Sequence, residues 1–148
     1  MQIGTKFSIA IHILLCVEFF NKDYKVTGDF IAASVKTNPT IIRNIMALLR
    51  DAGIIESAAG TGGAKLTRPA SDITMRDIYL AVNPIKDGKL FKIHKNTEPC
   101  CPVGGNILML LEPVFFNAQS AMENNLMQST LQDVLNTLNT KLKTKLNS

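Results

Sequence analysis

The segment from Thr5 to Phe20 limits most strictly what this chain can fold into. Its apolar residues fall on nearly every side of a helix, and such a helix has to be enclosed by other elements. The apolar run has about 14 residues and contains His12 and Glu18, whereas a bilayer-spanning helix needs about 20 apolar residues. We therefore expect a buried central helix in a globular protein that has no contact with a membrane.

Composition narrows the class of protein. The chain has 148 residues, of which 46% are hydrophobic and 19% charged, a balance typical of one globular unit. Three cysteines are an odd number, and no small-x-small cleavage site follows the apolar run, so we expect a cytoplasmic protein rather than a disulfide-stabilised secreted one. The net charge is +4, and most of the excess lies in residues 1–70, which is compatible with a polyanionic partner.

Two short helices after the central one predict a helix-turn-helix. Thr27 is suited to cap the first of them. The second begins at Asn38 and Pro39, a cap residue followed by a proline in the first helical position, and its apolar residues recur every three or four positions until Gly53. Two capped helices separated by about three residues are typical of this DNA-binding motif.

Residues 54–67 predict a β-hairpin directly after the helix-turn-helix. Residues 54–58 and 64–67 have strand character, and the glycine-rich segment 59–63 is suited to the tip between them. The tip is not a P-loop, because no Gly-Lys-Ser/Thr occurs and no helix follows. A helix-turn-helix followed by a hairpin is a winged helix.

A change of composition near residue 83 marks a hinge. Thr74 and Asp77 form a capping box for a helix that runs through Val82. The segment 83–102 then combines four lysines with glycine and proline breaks and ends on two adjacent cysteines. We predict a hinge that also serves as a candidate sensor loop.

The C-terminal part predicts two further helices. Apolar residues return at helical spacing over Ile107–Met122, where Pro113 is expected to kink or interrupt the helix. Ser129 with Gln132 predicts a capping box for a final helix whose leucines lie on one face as far as Leu142. This apolar extension exceeds what one small winged helix can cover, which favours dimerisation over packing as core.

Five segments occur together in an order that resembles one family of regulators. They are NPTIIRNI at 38–45, LLRDAGIIES at 48–57, GTGGAKL at 60–66, DITMRDI at 72–78 and CPVG at 101–104. This order is similar to that of the BadM/IscR-type family of bacterial winged helix-turn-helix transcriptional regulators, over nearly the whole chain. The resemblance implies a mainly α fold with a small β-hairpin wing and C-terminal dimerisation helices. It also implies a homodimer that binds double-stranded operator DNA.

The start of the second short helix and the hairpin are the predicted DNA contacts. Arg43 can donate two hydrogen bonds to guanine, Asn44 can address adenine, and Lys65 or Arg68 can neutralise phosphate. For each of these residues, the alternative is that it lies on a solvated protein surface and makes no contact with DNA. The complete predicted set comprises Thr27, Gly28, Thr37, Asn38, Pro39, Thr40, Arg43, Asn44, Thr61, Gly62, Gly63 and Lys65.

The cysteines argue against an iron–sulfur cluster and for a thiol sensor. Cluster-binding members of the family place three spaced cysteines near residues 90–106, where this chain has only the adjacent Cys100 and Cys101. Neighbouring residues rarely ligate one cluster together, and Cys16 lies in the core helix, so we expect no cofactor.

A helix that begins at Pro102 would place Cys101 at its N-cap. The helix dipole there favours a thiolate, and Lys92 and Lys95 could add to the effect. Cys101 with Cys100 is therefore a candidate sensor of thiol oxidants. The alternative is that both cysteines pack under the start of the helix.

These patterns together predict a homodimeric repressor that binds a palindromic operator and responds to thiol oxidants. Residues 1–82 form the DNA-binding unit, 83–102 the hinge, and 103–148 the dimerisation helices. No His-Glu-x-x-His motif, nucleophile elbow or paired acid and base occurs, so we do not expect an enzyme. A cysteine-based redox protein and a winged-helix docking module without DNA binding stay open as alternatives.

Overall fold

The computed structural model describes residues 4–57, 63–83 and 86–147. These residues form a mainly helical fold with one two-stranded antiparallel sheet, which confirms the predicted fold class. Short 3₁₀ turns lie at 70–72, 86–88 and 104–106. The regular elements are α1 (Lys6–Phe20), α2 (Gly28–Val35), α3 (Pro39–Asp51), β1 (Ile55–Ser57), β2 (Ala64–Leu66), α4 (Met75–Val82), α5 (Ile107–Met127) and α6 (Leu131–Leu146).

Helix α1 is the centre of the core, as its sequence predicts. It packs against α2, α3, α4, α6 and strand β2. On the side that these elements cover, Ile13, Leu14 and Val17 have no exposed surface at all, whereas Phe19 near the end of α1 is 39% exposed. Among the described residues, no helix combines the length and the hydropathy that a membrane-spanning segment requires.

The predicted caps of the helix-turn-helix are confirmed. The Thr27 hydroxyl oxygen accepts a hydrogen bond from the Phe30 N–H at 3.2 Å, and Asn38 Oδ1 accepts one from the Thr40 N–H at 2.8 Å. Between the two helices Lys36 adopts a left-handed conformation, with φ 58°, which turns the chain within three residues. Local hydrogen bonds therefore set where α2 ends and where α3 begins.

Helix α6 folds back onto the winged helix. Leu131 and Leu135 belong to the same buried cluster as the residues of α1. A short bridge between Thr74 and Thr130 fixes its start, because Met75 N–H donates to Ser129 O and Leu131 N–H to Ile73 O, both at 2.8 Å. The division of the chain at residues 82 and 102 stays a prediction.

The capping box predicted at Ser129 and Gln132 is wrong by one residue. Thr130 is the N-cap: its hydroxyl oxygen accepts from the Asp133 N–H at 3.2 Å, and Asp133 Oδ2 accepts from the Thr130 N–H at 2.9 Å. The bridge to α4 holds the chain extended through Thr130, so helical geometry begins only at Leu131. The capping box at Thr74 and Asp77 is confirmed.

Pro113 does not interrupt α5, so the break we considered does not occur. Helical structure continues from Ile107 to Met127. A proline removes the hydrogen bond to the carbonyl four residues earlier, which here belongs to Met109. Met109 is exposed, so water can replace the missing donor.

We expect Thr130→Ala to lower the free energy of unfolding by about 1 kcal/mol, the usual cost of losing an N-cap side chain. Ser129→Ala should change it by a few tenths of that, because Ser129 takes part in the bridge through its backbone. Urea unfolding of both variants at one protein concentration measures the difference. An equal loss in the two variants would contradict the assignment of the cap.

Candidate nucleic-acid interface

The start of α3 presents a row of polar side chains opposite a buried face. Ile42, Ile45 and Leu49 are buried against the core. The predicted base-reading residues lie on the other side: Thr37 is half-buried, and Asn38, Pro39, Thr40, Arg43 and Asn44 are exposed. This arrangement suits a recognition helix, whose N-terminal residues reach base edges in the major groove.

Gly28 allows α2 to approach α3 closely. A Cβ atom at Gly28 would lie 3.3 Å from Arg43 Cγ, tighter than nearly all such contacts in proteins. The sequence predicts Gly28 only as one of the DNA contacts, and it carries no signal of this close approach to Arg43. A residue with a side chain at this position would therefore have to displace the Arg43 side chain by a few tenths of an ångström.

Arg43 has one acidic neighbour. Its Nη1 lies 3.9 Å from Asp29 Oδ1, and the two side chains are 63% and 79% exposed. An ion pair this exposed contributes little to stability and is easily exchanged for another partner. The guanidinium group of Arg43 is therefore available to a DNA base or phosphate.

The hairpin is attached to the same surface. The Ala64 N–H donates to Val26 O at 3.0 Å, which ties β2 to the residue before the Thr27 cap. Lys65 is exposed and stands opposite Glu56 in the ladder, while Gly63 lies beside Lys25 and Val26. The predicted contacts Thr61 and Gly62 lie outside the described residues.

Arg68 has a structural role at the base of the hairpin. Its guanidinium group donates to Asp72 O at 3.1 Å, to Gly53 O at 3.4 Å and to Asp77 Oδ2 at 3.3 Å. These bonds join the end of α3 to the start of α4. Lys65 and Arg68 are the two predicted contacts to DNA phosphate. Lys65 has an exposed side chain and does not take part in these structural hydrogen bonds, so it is the better candidate.

Arg50 is a candidate contact that we did not predict. It lies seven residues after Arg43, so both side chains fall on one side of α3. A cleft of about 240 Å³ between α2, α3 and the hairpin is lined by both arginines together with Gly28 and Ser57. The spacing of two helical turns between the arginines could have predicted that Arg50 lies on the same side of α3 as Arg43.

Helix α5 exposes many apolar side chains and only two charged ones. All 21 of its residues are described, and none is buried. Its only charged residues, Glu112 and Glu123, pair with Lys89 at 3.0 Å and Arg76 at 3.8 Å. The exposed apolar side chains of α5 and the segment before it are Val103, Leu108, Met109, Leu110, Val114, Phe116 and Met127.

The side chain of Gln119 in α5 is hydrogen-bonded to the backbone of the predicted hinge. Its side-chain oxygen accepts from the Leu90 N–H at 2.9 Å, and its nitrogen donates to Gly88 O at 2.9 Å. The rings of Phe91 and Phe115 stack with centroids 5.3 Å apart. These contacts hold the first part of the hinge along the helix.

Cys100 and Cys101 lie exposed in a tight turn, so the alternative that they pack under a helix is wrong. Thr97 Oγ1 donates to Gly104 O at 2.6 Å, and Gly105 N–H donates to Cys101 O at 2.8 Å. A Cβ atom at Gly105 would lie 2.6 Å from Pro99 O, so the turn requires glycine there.

Backbone donors in this turn stabilise the Cys101 thiolate. The N–H groups of Gly104 and Val103 point to its sulfur, the first at 3.4 Å, and they lower the pKa of the Cys101 thiol. The predicted N-cap position is wrong, because Asn106 precedes α5 and a 3₁₀ turn intervenes. Lys92 and Lys95 are not among the causes of the lowered pKa.

The comparisons with known proteins identify the family. A family model described as Rrf2, iron-dependent transcriptional regulator, matches residues 3–137. The chain belongs to the Rrf2 family. It is 40% identical over 137 residues to the HTH-type transcriptional regulator YwnA of Bacillus subtilis (strain 168), a match that covers 93% of this chain and 99% of YwnA.

Solved structures share the Rrf2 fold. A transcriptional regulator from Lactobacillus plantarum superposes with a TM-score of 0.76 and 27% identity, covering 97% of each chain. IscR of T. potens superposes with a TM-score of 0.67 at 19% identity, covering 93% of this chain and 88% of IscR. The resemblance seen in the sequence is confirmed, and the protein is a winged helix-turn-helix, DNA-binding transcriptional regulator rather than an enzyme.

The residues present do not fit the iron chemistry in the description of the Rrf2 family. Cys16 is buried in α1, where its sulfur lies 3.6 Å from Ser34 Oγ and burial raises its pKa. Cys100 and Cys101 lie in the exposed turn before α5. Within residues 4–57, 63–83 and 86–147, no three histidine, cysteine or acidic side chains come together as a metal site.

We expect the Cys101 thiol to react as a thiolate at a lower pH than an ordinary cysteine. Its rate of alkylation by iodoacetamide should fall only as the pH drops through its lowered pKa. Mass spectrometry of Cys100→Ser, which keeps Cys101, measures this profile, and Cys101→Ser is the matched control. A midpoint at or above that of a free cysteine would contradict the role of the backbone donors.

Proposed function

We propose that this Rrf2 protein is a cytoplasmic, homodimeric repressor that binds a palindromic operator and releases it when Cys101 is oxidised. The observation that carries the proposal is the single surface formed by the start of α2, the exposed face of α3 and the base of the hairpin. The lack of a side chain at Gly28 lets α2 lie close to Arg43, and the bond from Ala64 to Val26 joins the hairpin to the segment before α2.

Base reading is assigned to the start of α3. Arg43 is long enough to reach guanine O6 and N7, and Asn44 suits adenine N6 and N7. The N–H groups of Gly28 and Asp29, at the start of α2, have no acceptor within the helix and can bind a phosphate, whereas the Phe30 N–H is bonded to Thr27. Lys65 approaches the phosphate backbone of the DNA from the hairpin and adds affinity for DNA without sequence preference.

Dimerisation is assigned to the exposed face of α5. Leu110, Val114 and Phe116 are 55%, 58% and 69% exposed, and the two acids of α5 are paired with Lys89 and Arg76. A helical surface with this many exposed apolar side chains is typical of the core of a protein interface. A two-fold pair would place two recognition helices on half-sites about 34 Å apart or a multiple of it.

The signal is assigned to Cys101. Its thiolate attacks a peroxide oxygen, the O–O bond breaks, and the leaving oxygen departs as water after protonation, which leaves a sulfenic acid. Cys100 is its direct neighbour, and a disulfide between adjacent residues strains the peptide bond that joins them. The sulfenic acid therefore condenses with a thiol of another molecule and releases water. Either product disturbs the turn that leads into α5.

We expect Arg43→Ala to weaken operator binding by about 1–3 kcal/mol and to relax preference at one base position. Lys65→Ala should weaken all sequences similarly and make binding less dependent on salt, because it removes only a phosphate contact. Fluorescence anisotropy with selected operator variants over a range of salt concentrations measures both effects. Unchanged affinity and unchanged base preference in Arg43→Ala would show that Arg43 reads no base.

We expect Val114→Asp to convert the dimer into monomers, because it buries an unpaired charge in the interface. Leu146→Asp is the matched control, since Leu146 is 86% exposed at the end of α6. Sedimentation velocity at micromolar concentration, together with circular dichroism to verify folding, distinguishes the two. A dimer that persists in Val114→Asp, or a monomeric wild type, would contradict this assignment of the interface.

A further inference from the structure

The side chain of Arg43 reaches from α3 to the first turn of α2. Its Cγ atom lies 3.3 Å from the point where a Cβ atom at Gly28 would stand, so the stem of the side chain runs along the start of α2. Its Nη1 atom lies 3.9 Å from Oδ1 of Asp29. The residue that we assign to base reading is therefore placed beside an acid, on the surface that we assign to DNA.

The carboxylate of Asp29 stands where a negative charge disfavours DNA. Asp29 and Arg43 are 79% and 63% exposed, so their ion pair contributes little to the free energy of folding. DNA phosphates repel a carboxylate, and Asp29 therefore lowers the affinity of this surface for any sequence. Within the described part of the chain, Arg43 is the only residue that pairs with Asp29. Apart from its favourable interaction with the dipole of α2, Asp29 can act only through Arg43.

Arg43 has two potential partners in a complex with DNA. One is the edge of guanine, which offers O6 and N7 as acceptors in the major groove. The other is the phosphate that we assign to the free N–H groups of Gly28 and Asp29, because Gly28 adjoins the Arg43 side chain. A contact to phosphate carries no sequence information. Competition from this phosphate would therefore weaken base reading by Arg43.

The carboxylate of Asp29 acts differently on these two partners. A phosphate that binds Arg43 comes close to the carboxylate and is repelled, whereas guanine has no net charge and is not repelled. The guanidinium group has five N–H donors, so a bond from Nη1 to Asp29 leaves enough of them for two bonds to guanine. The acid therefore disfavours the phosphate contact of Arg43 and permits the base contact.

We propose that Asp29 is a positioning residue that directs Arg43 to a base and away from the neighbouring phosphate. The proposal rests on the base-reading function assigned to Arg43 above. Arg50, seven residues further along α3, lines the same cleft as Arg43, and within the described residues it forms no ion pair. Arg50 is therefore suited to bind phosphate, so the two arginines of one cleft have different roles in DNA binding.

Asp29→Asn tests the proposal, because it removes the charge and keeps the size of the side chain. We expect this variant to bind random DNA about two- to fivefold more tightly, since one repulsive charge is lost. At the base position read by Arg43 in a single half-site, the preference for guanine should fall from about tenfold to about threefold or less. The plot of log K against log salt should steepen by about 0.9 for each chain bound, because Arg43 then contacts one more phosphate.

Fluorescence anisotropy with the selected operator, its variants at that position and random duplexes measures all three quantities. Asp51→Asn is the matched control, since it removes an exposed acid of α3 that is not paired with Arg43, and it should leave the preference for guanine unchanged. Asp29→Asn combined with Arg43→Ala should have the base preference and salt dependence of Arg43→Ala alone. Circular dichroism melting curves verify that each variant is folded.

Arg43→Ala distinguishes failure of this proposal from failure of base reading. If Arg43→Ala loses the preference for guanine and Asp29→Asn keeps it, base reading stands and the positioning role of Asp29 is overturned. An equal loss of affinity for all sequences in Asp29→Asn would also overturn it, because Asp29 would then only stabilise the start of α2. An unchanged preference in Arg43→Ala would overturn base reading and the role of Asp29 together.

Discussion

The burial of α1 is the constraint on which the rest of this Rrf2 structure depends. A helix that is apolar on nearly all sides is stable only when other elements cover it, and five elements do so here. The last of these is α6, whose Leu131 and Leu135 enter the same core. The C-terminal helix is therefore part of the fold that presents α3, while α5 between them keeps an uncovered face.

The proposed DNA-binding surface is held together by short backbone contacts rather than by strong ion pairs. Gly28 lets α2 approach Arg43, and the bond from Ala64 to Val26 fixes the hairpin beside the start of α2. The pair between Asp29 and Arg43 is exposed and adds little. Backbone contacts fix the position of this surface, while a weak ion pair such as that of Arg43 can be replaced by a contact to DNA.

Local patterns predicted much of this fold, and long-range contacts account for the errors. The caps at Thr27 and Asn38 depend on bonds within three residues, so the sequence reveals them. The last helix starts at Thr130 rather than Ser129 because of a bridge to α4, over fifty residues away, which no local pattern shows. The surroundings of Cys101 were predicted less well, because the N–H groups that point to its sulfur belong to a turn whose shape the sequence does not specify.

In the proposed assembly each chain supplies one recognition helix, and α5 joins that chain to a second copy. The stoichiometry of the complex with a selected operator tests this most directly, and sedimentation equilibrium or native mass spectrometry measures it. We expect two chains per palindromic operator and protection of two half-sites about one helical turn apart or a multiple of it. A stable complex of one chain with one half-site, at the same affinity, would contradict it.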